Sequence, residues 1–292
     1  EHLAGADPKA EIVCIDVWGY IQESVPDWTA VESYSFNFDD GSHIVGGTLA
    51  ITGPDSRTSI YSGPNSDLSH VLEPSHVAIT PDSDRAFVNC QVNNTLVEVD
   101  LDNVTSTVDV IQGAYGFGHR DMSSGSGFDG QDDGVASVEQ PTEMILGWYQ
   151  PGDMEIAFNG TKTILLTANE GLPSNDDLGN EDVVLSTSTE YSGLEIDSEY
   201  GLGAGSGDSY VFGSRSFSLW DISSPGAVPT LIYDSGSLIE ETLAELMPEY
   251  ANSLKSTYDS GDEASVSRGP EPAGIALGTL NDKDILIVSL EE

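Results

Sequence analysis

Short runs in which apolar and polar residues alternate, cut at close intervals by Gly, Pro, Asn and Asp, cover most of the chain. Such a period of two places successive side chains on opposite faces of a strand. The clearest stretch spans residues 76–111. His76–Thr80 meets a turn at Pro81–Asp84, and Arg85–Val92 meets a turn at Asn93-Asn94. Thr95–Leu101 then turns at Asp102-Asn103 into Thr105–Ile111. Four short antiparallel strands joined by tight turns make one blade of a β-propeller.

The unit recurs. Leu72-Glu-Pro-Ser-His-Val-Ala-Ile79, Tyr149-Gln-Pro-Gly-Asp-Met-Glu-Ile-Ala157 and Gly269-Pro-Glu-Pro-Ala-Gly-Ile-Ala-Leu277 each set an acid or amide before a proline and an apolar strand. A turn and a second strand follow each: Arg85–Val92, Thr163–Ala168 and Asp284–Ser289. Pro74, Pro151 and Pro272 lie 77 and 121 residues apart. A blade takes about 40–45 residues, so further blades or insertions fill the gaps. The pattern breaks at Ser237-Leu-Ile-Glu240, a capping box that predicts a short helix. Leu238, Ile239, Leu243, Leu246 and Met247 form its apolar face, and Pro248 ends it. Surface loops are expected at about 113–140 and 186–214, as insertions in a single all-β domain over 1–292.

Charge changes the picture more than size does. Fifty acidic against nine basic residues give a net charge of -41. That field repels nucleic acid and anionic lipid, and attracts divalent cations, mineral or a thick counterion layer. The 38% apolar content, dispersed in strand-like runs, argues against disorder. No run approaches the roughly 18 apolar residues of a membrane span. The chain begins at Glu1 with no signal-peptide segment, as expected of a processed or partial product. Cys14 and Cys90 leave two options open: one disulfide, or two buried thiols.

Four carboxylates fall at the start of first strands or the end of second strands of the repeated unit: Glu73, Glu170, Glu271 and Glu291. Convergent carboxylates suit Ca²⁺, which takes several oxygen ligands; the alternative is that each hydrogen-bonds backbone amides at a blade junction. Asp129, Asp132 and Asp133, in Asp129-Gly-Gln-Asp-Asp-Gly134, form a second candidate set. Gln140 stands where an EF-hand needs Glu, so a solvated acidic loop is the competing reading. Asn175-Asp176-Asp177 with Glu181-Asp182 reads the same way. There is no G-x-S-x-G, H-E-x-x-H, P-loop or Cys cluster. His119-Arg120-Asp121 is reactive in composition, yet neighbours in sequence rarely face one another. Arg215 and Arg268 read as neutralising nearby acids. Asn93-Asn-Thr95, Asn103-Val-Thr105 and Asn159-Gly-Thr161 are N-glycosylation sequons in predicted hairpin turns. Asn159-Gly160 is in addition a type I′ turn signal.

An ordered series of motifs resembles the choice-of-anchor I family, which includes mesenchyme-specific cell-surface glycoproteins. It comprises Ala10-Glu-Ile-Val-Cys-Ile-Asp16, Leu72–Ile79, Gly147-Trp-Tyr-Gln-Pro151, Thr167-Ala-Asn-Glu-Gly171 and Arg215-Ser-Phe-Ser-Leu-Trp-Asp221. Tyr233-Asp-Ser-Gly236, Gly269-Pro-Glu-Pro272 and Leu290-Glu291 complete it. The resemblance implies a propeller of the seven-bladed type on a secreted or surface-attached protein. The chain departs from the family in two places. Only 55 residues separate Asp16 from Leu72, and Leu172 stands where the family often has an acid. The ring is therefore expected to be shortened, leaving strand edges that invite self-association into oligomers or fibres. The reading is of a non-enzymatic extracellular acidic glycoprotein, a surface, matrix or fibre component that binds Ca²⁺. The alternative is a secreted Ca²⁺-dependent phosphoesterase using metal-bound water.

Overall fold

The alternating runs fold as strands, and their register shows which residues each sheet buries. The computed structural model describes residues 11–16, 32–38, 42–46, 48–57, 68–105, 108–174, 182–201, 207–254 and 261–291. Strands β1 (Glu11–Asp16) and β2 (Glu32–Asn37) pair antiparallel. After the short β3 (Ile51–Thr52) and one helical turn, α1 (Leu68–Val71), the first blade pattern begins. It comprises β4 (His76–Ile79), β5 (Arg85–Cys90), β6 (Thr95–Asp100) and β7 (Ile111–Gly116), antiparallel and in sequence order. β3 adds in parallel to the outer edge of β7.

The fourth strand differs from expectation, starting at Ile111 where it was expected to end. The Asp100 carboxylate accepts the amides of Asp102 (2.9 Å) and Asn103 (3.3 Å), an Asx turn that leads the chain out of the ladder. Asp109, at φ 53°, turns it again, and pairing resumes with Val99 opposite Ile111.

The expected loop at 113–140 accordingly opens with the end of β7 and with β8 (His119–Asp121), which pairs with β9 (Ile145–Trp148). The second four-stranded sheet runs β10 (Asp153–Phe158), β11 (Thr163–Ala168), β15 (Phe217–Asp221) and β16 (Thr230–Asp234). Between its second and third strands lies an excursion holding β12 (Val183–Leu185), β13 (Glu195–Asp197) and β14 (Ser209–Val211). β14 joins β9 in parallel. The excursion is pinned by Arg57, wholly buried, which is ion-paired with Asp182 and Asp197. Trp148 Nε1 donates to the same Asp197 carboxylate at 3.0 Å. Of the acidic group predicted at 175–182, only Asp182 lies within the described residues.

Finally β17 (Pro272–Leu280) and β18 (Lys283–Leu290) form a hairpin. Its two-residue turn, Asn281-Asp282, has φ 52° and 60°, the type I′ geometry that matches strand twist. Between β10 and β11 the sequence signal was for that same turn, yet there only Gly160 is left-handed, at φ 88°. That turn centres on Gly160-Thr161, with Asn159 N donating to Lys162 O.

Period two explains the stacking of these sheets. Leu165 packs with Met154, Ile156 and Trp220 against Phe87 and Leu96 of the first sheet. The next residue, Leu166, faces the other way and packs with Ala168 against Ile275 of β17. The second sheet is thus buried on both faces, between the first sheet and the last hairpin. Full burial of a side chain such as Leu165 contributes about 1.5–3 kcal/mol. The fold is nearly all β, with separate sheets and no closed barrel among the described residues. No helix among those residues is long and apolar enough to cross a membrane.

The predicted helix forms as α2 (Leu238–Leu246), but its capping and burial differ from expectation. Ser237 makes no cap hydrogen bond; its hydroxyl donates instead to Gly127 O. Glu240, expected to complete the box, is buried against Arg215 at 2.9 Å, while Leu246 is 69% exposed. An arginine in the core outweighed the apolar stripe.

Candidate functional site

In the three repeated strand pairs, one residue precedes the proline and another follows the second strand. The first positions are Glu73, Gln150 and Glu271; the second are Gln91, Glu170 and Glu291. Gln150 and Glu271 share an unusual backbone, φ 38° and 42°, directly before proline. Their carbonyls accept the amides of Gly171 (3.2 Å) and Glu291 (3.0 Å). This turn ties the entry of each first strand to the exit of its second, and so brings the flanking side chains together.

Three of the four predicted carboxylates meet there. Glu170, Glu271 and Glu291 each offer an oxygen, all within 4.8 Å of one another. Glu271 is 3% exposed, Glu170 half-buried and Glu291 exposed. Arg268 lies among them, 2.5 Å from Glu271 Oε1 and 3.7 Å from Glu170 Oε1, and donates to Gly171 O at 3.2 Å. Gln91 Nε2 donates to Glu170 Oε2 at 3.0 Å. With one guanidinium among three carboxylates, two negative charges remain in excess. Oxygens bound to one Ca²⁺ at about 2.4 Å can lie no farther than about 4.8 Å apart, and this cluster meets that limit. Glu73 stands apart: it is exposed, and its amide donates to Asn93 Oδ1 at 2.8 Å. Sequence reasoning missed Gln91, although it occupies in the first pair the place of Glu170 and Glu291.

The second predicted set is arranged differently. Asp129 is buried; its carboxylate accepts the Ser137 amide (2.9 Å), and its own amide donates to Glu240 Oε1 (3.3 Å). Asp133 Oδ1 accepts the Val135 amide, while Asp262 accepts the amides of Asp133, Gly134 and Val135. Asp132 is exposed. These three acids do not converge as Glu170, Glu271 and Glu291 do; two of them bind the loop's own backbone. Arg215, fully buried at φ 57°, closes the loop from below. It pairs with Glu240, stacks over Phe128 at 4.8 Å, and donates to the carbonyls of Asp129, Ser265 and Ser267. Burial pushes the Asp129 carboxyl up to about 7; the Ser137 amide opposes this, Asp262 and Glu240 add to it, and Arg215 opposes it.

Of the sequon asparagines, Asn103 and Asn159 are exposed in turns as expected. Asn93 is not. It is fully buried, donating to Val71 O (2.9 Å) and Arg57 O (3.4 Å), because the Asn93-Asn94 turn packs against neighbouring loops. Cys90 is a free thiol, wholly buried, and burial raises its pKa. The disulfide to Cys14 is therefore not formed at Cys90; the Cys14 side chain lies outside the described residues.

The model of one family, the choice-of-anchor I domain, matches residues 6–292. No curated protein and no solved structure matches the chain.

Proposed function

Since the chain belongs to the choice-of-anchor I domain family, which points to a surface-associated extracellular protein, we propose that it serves there as a non-enzymatic, cation-binding structural component. The observation that carries this reading is the convergence of Glu170, Glu271 and Glu291 from three separate segments. Hard carboxylate oxygens and an excess of two negative charges favour Ca²⁺ over softer metals. The exposed Asn103 and Asn159 are the positions for N-linked glycans, and the edge of β18, which pairs with no further strand among the described residues, is a route to self-association. A cation held by the ends of β11 and β18 would tie the last hairpin to the second sheet, so binding should stabilise the fold. Thermal melting in Ca²⁺ against chelator tests this: a higher Tm in Ca²⁺, absent from Glu170→Gln/Glu271→Gln, is expected. An equal calcium response in both proteins would remove the reading.

One observation favours the phosphoesterase alternative. Arg268, one of few basic residues, sits beside the carboxylates, where a phosphate bound to a metal would need a cationic partner. Its guanidinium already faces Glu271, Glu170 and the Gly171 carbonyl, which favours the structural reading. Turnover of p-nitrophenyl phosphate that is abolished by chelation would reverse the preference.

A further inference from the structure

Each of the three repeated strand pairs has a leading face, on the side of the unit before it, and a trailing face, on the side of the unit after it. The third residue after the repeat proline (Val77, Met154 or Ile275) lies on the leading face. The fourth (Ala78, Glu155 or Ala276) lies on the trailing face, directly opposite Phe87, Leu166 and Ile287 in turn. Within the chain such faces meet twice. Phe87, 1% exposed, shares a core with Met154 and Ile156 of the next unit, and Leu166, 4% exposed, shares one with Ile275 of the last.

At the two ends of the stack the same positions are bare. Ile287 is 63% exposed, and no sheet among the described residues covers it. Leu280 is exposed on the same face, and a Cβ placed on Gly278 between them would meet nothing within 4 Å. Yet the unbroken apolar run Ile285–Val288 is the pattern of a strand covered on both faces. At the other end Val77 is 63% and Ile79 55% exposed, although Val88 and Ala86, their cross-strand neighbours on that face, are buried.

We propose that the trailing face of the last hairpin packs on the leading face of the first sheet in a second copy of this chain. Ile287 then sits against Val77 and Ile79 as Phe87 sits against Met154 and Ile156. The occupant follows from continuity with the interfaces inside the chain: one end of the stack carries the trailing residue, and the other carries the surface that receives it. Both are exposed, so they do not meet within one copy. Such an interface is head-to-tail, and copies joined by it close into a ring or run on as a fibre. This gives the self-association proposed above a surface distinct from the β18 edge and from the three carboxylates. The net charge of -41 opposes contact between copies, so association should require salt to screen it.

Sedimentation velocity of the whole chain tests this, from about 10 µM to about 1 mM protein in about 1 M NaCl with chelator. Chelator keeps divalent cations away, so the outcome is independent of the cation reading. The native chain should sediment faster as its concentration rises. Ile287→Asp and the double variant Val77→Asp/Ile79→Asp should each stay monomeric. Because each keeps one intact face, their equimolar mixture should form dimers and nothing larger, which also shows that both variants fold. Leu246→Asp, at an equally exposed position on α2, should assemble as the native chain does. A native chain that stays monomeric throughout would overturn the proposal, as would a monomeric mixture or loss of assembly in Leu246→Asp. Assembly by the Val77/Ile79 variant alone would also overturn it, and would assign self-association to the β18 edge.

Discussion

Two arginines in this chain sit among carboxylates, and they do opposite things. Arg215 is sealed in the interior and binds the loop at 128–130, α2 and the segment at 265–267 in one knot. Arg268 is partly exposed, faces Glu271 and Glu170, and leaves charge uncompensated in the group that they form with Glu291. The acidic loop that Arg215 closes has a calcium-like composition, but Asp129 and Asp133 spend oxygens on its own backbone. The cluster around Arg268 is assembled from segments far apart in sequence and brings one oxygen of each acid within 4.8 Å of the others. Composition alone ranks the two alike; their difference lies in who consumes the lone pairs.

The largest effect that would break this contrast is on stability. Arg215→Met should cost roughly 3–5 kcal/mol, because it strands the buried Glu240 charge. Chemical denaturation measures it, and a loss no greater than that of Arg268→Met would show the knot to be incidental. A smaller effect sharpens the contrast through pH. Asp129 has its pKa raised in the fold to about 7, from 3.8. Between these values the native state holds a proton that the unfolded chain releases, so this contribution is full below 3.8 and is lost as pH rises through about 7. Tm should therefore fall on going from pH 6 to pH 8, and Asp129→Asn should flatten that fall. An unchanged slope in the variant would place the titration elsewhere.

Much of this was legible in the sequence where local pattern and tertiary role agree. The alternating runs became β4, β5, β6, β10, β11, β17 and β18, and the pre-proline repeat located Glu170, Glu271 and Glu291. Strand β7 was missed because Gly113 and Gly116 dilute its alternation, and because the Asx turn at Asp100 leaves no apolar signature. The capping box was outweighed because a buried arginine needed Glu240 more than the helix end did. Asn93 matches the turn rule, but neighbouring loops close over it, which no local signal records.

We propose that Glu170, Glu271 and Glu291 hold a hard cation against a built-in arginine, Arg268. Calorimetric Ca²⁺ titration tests it most directly, in about 1 M monovalent salt, where the roughly 3 Å screening length suppresses binding to the acidic surface. One site is expected in the native protein, lost in Glu170→Gln/Glu271→Gln and tightened several-fold in Arg268→Met, where the competing charge is gone. Equal binding by all three proteins, or none by the native chain, would contradict it.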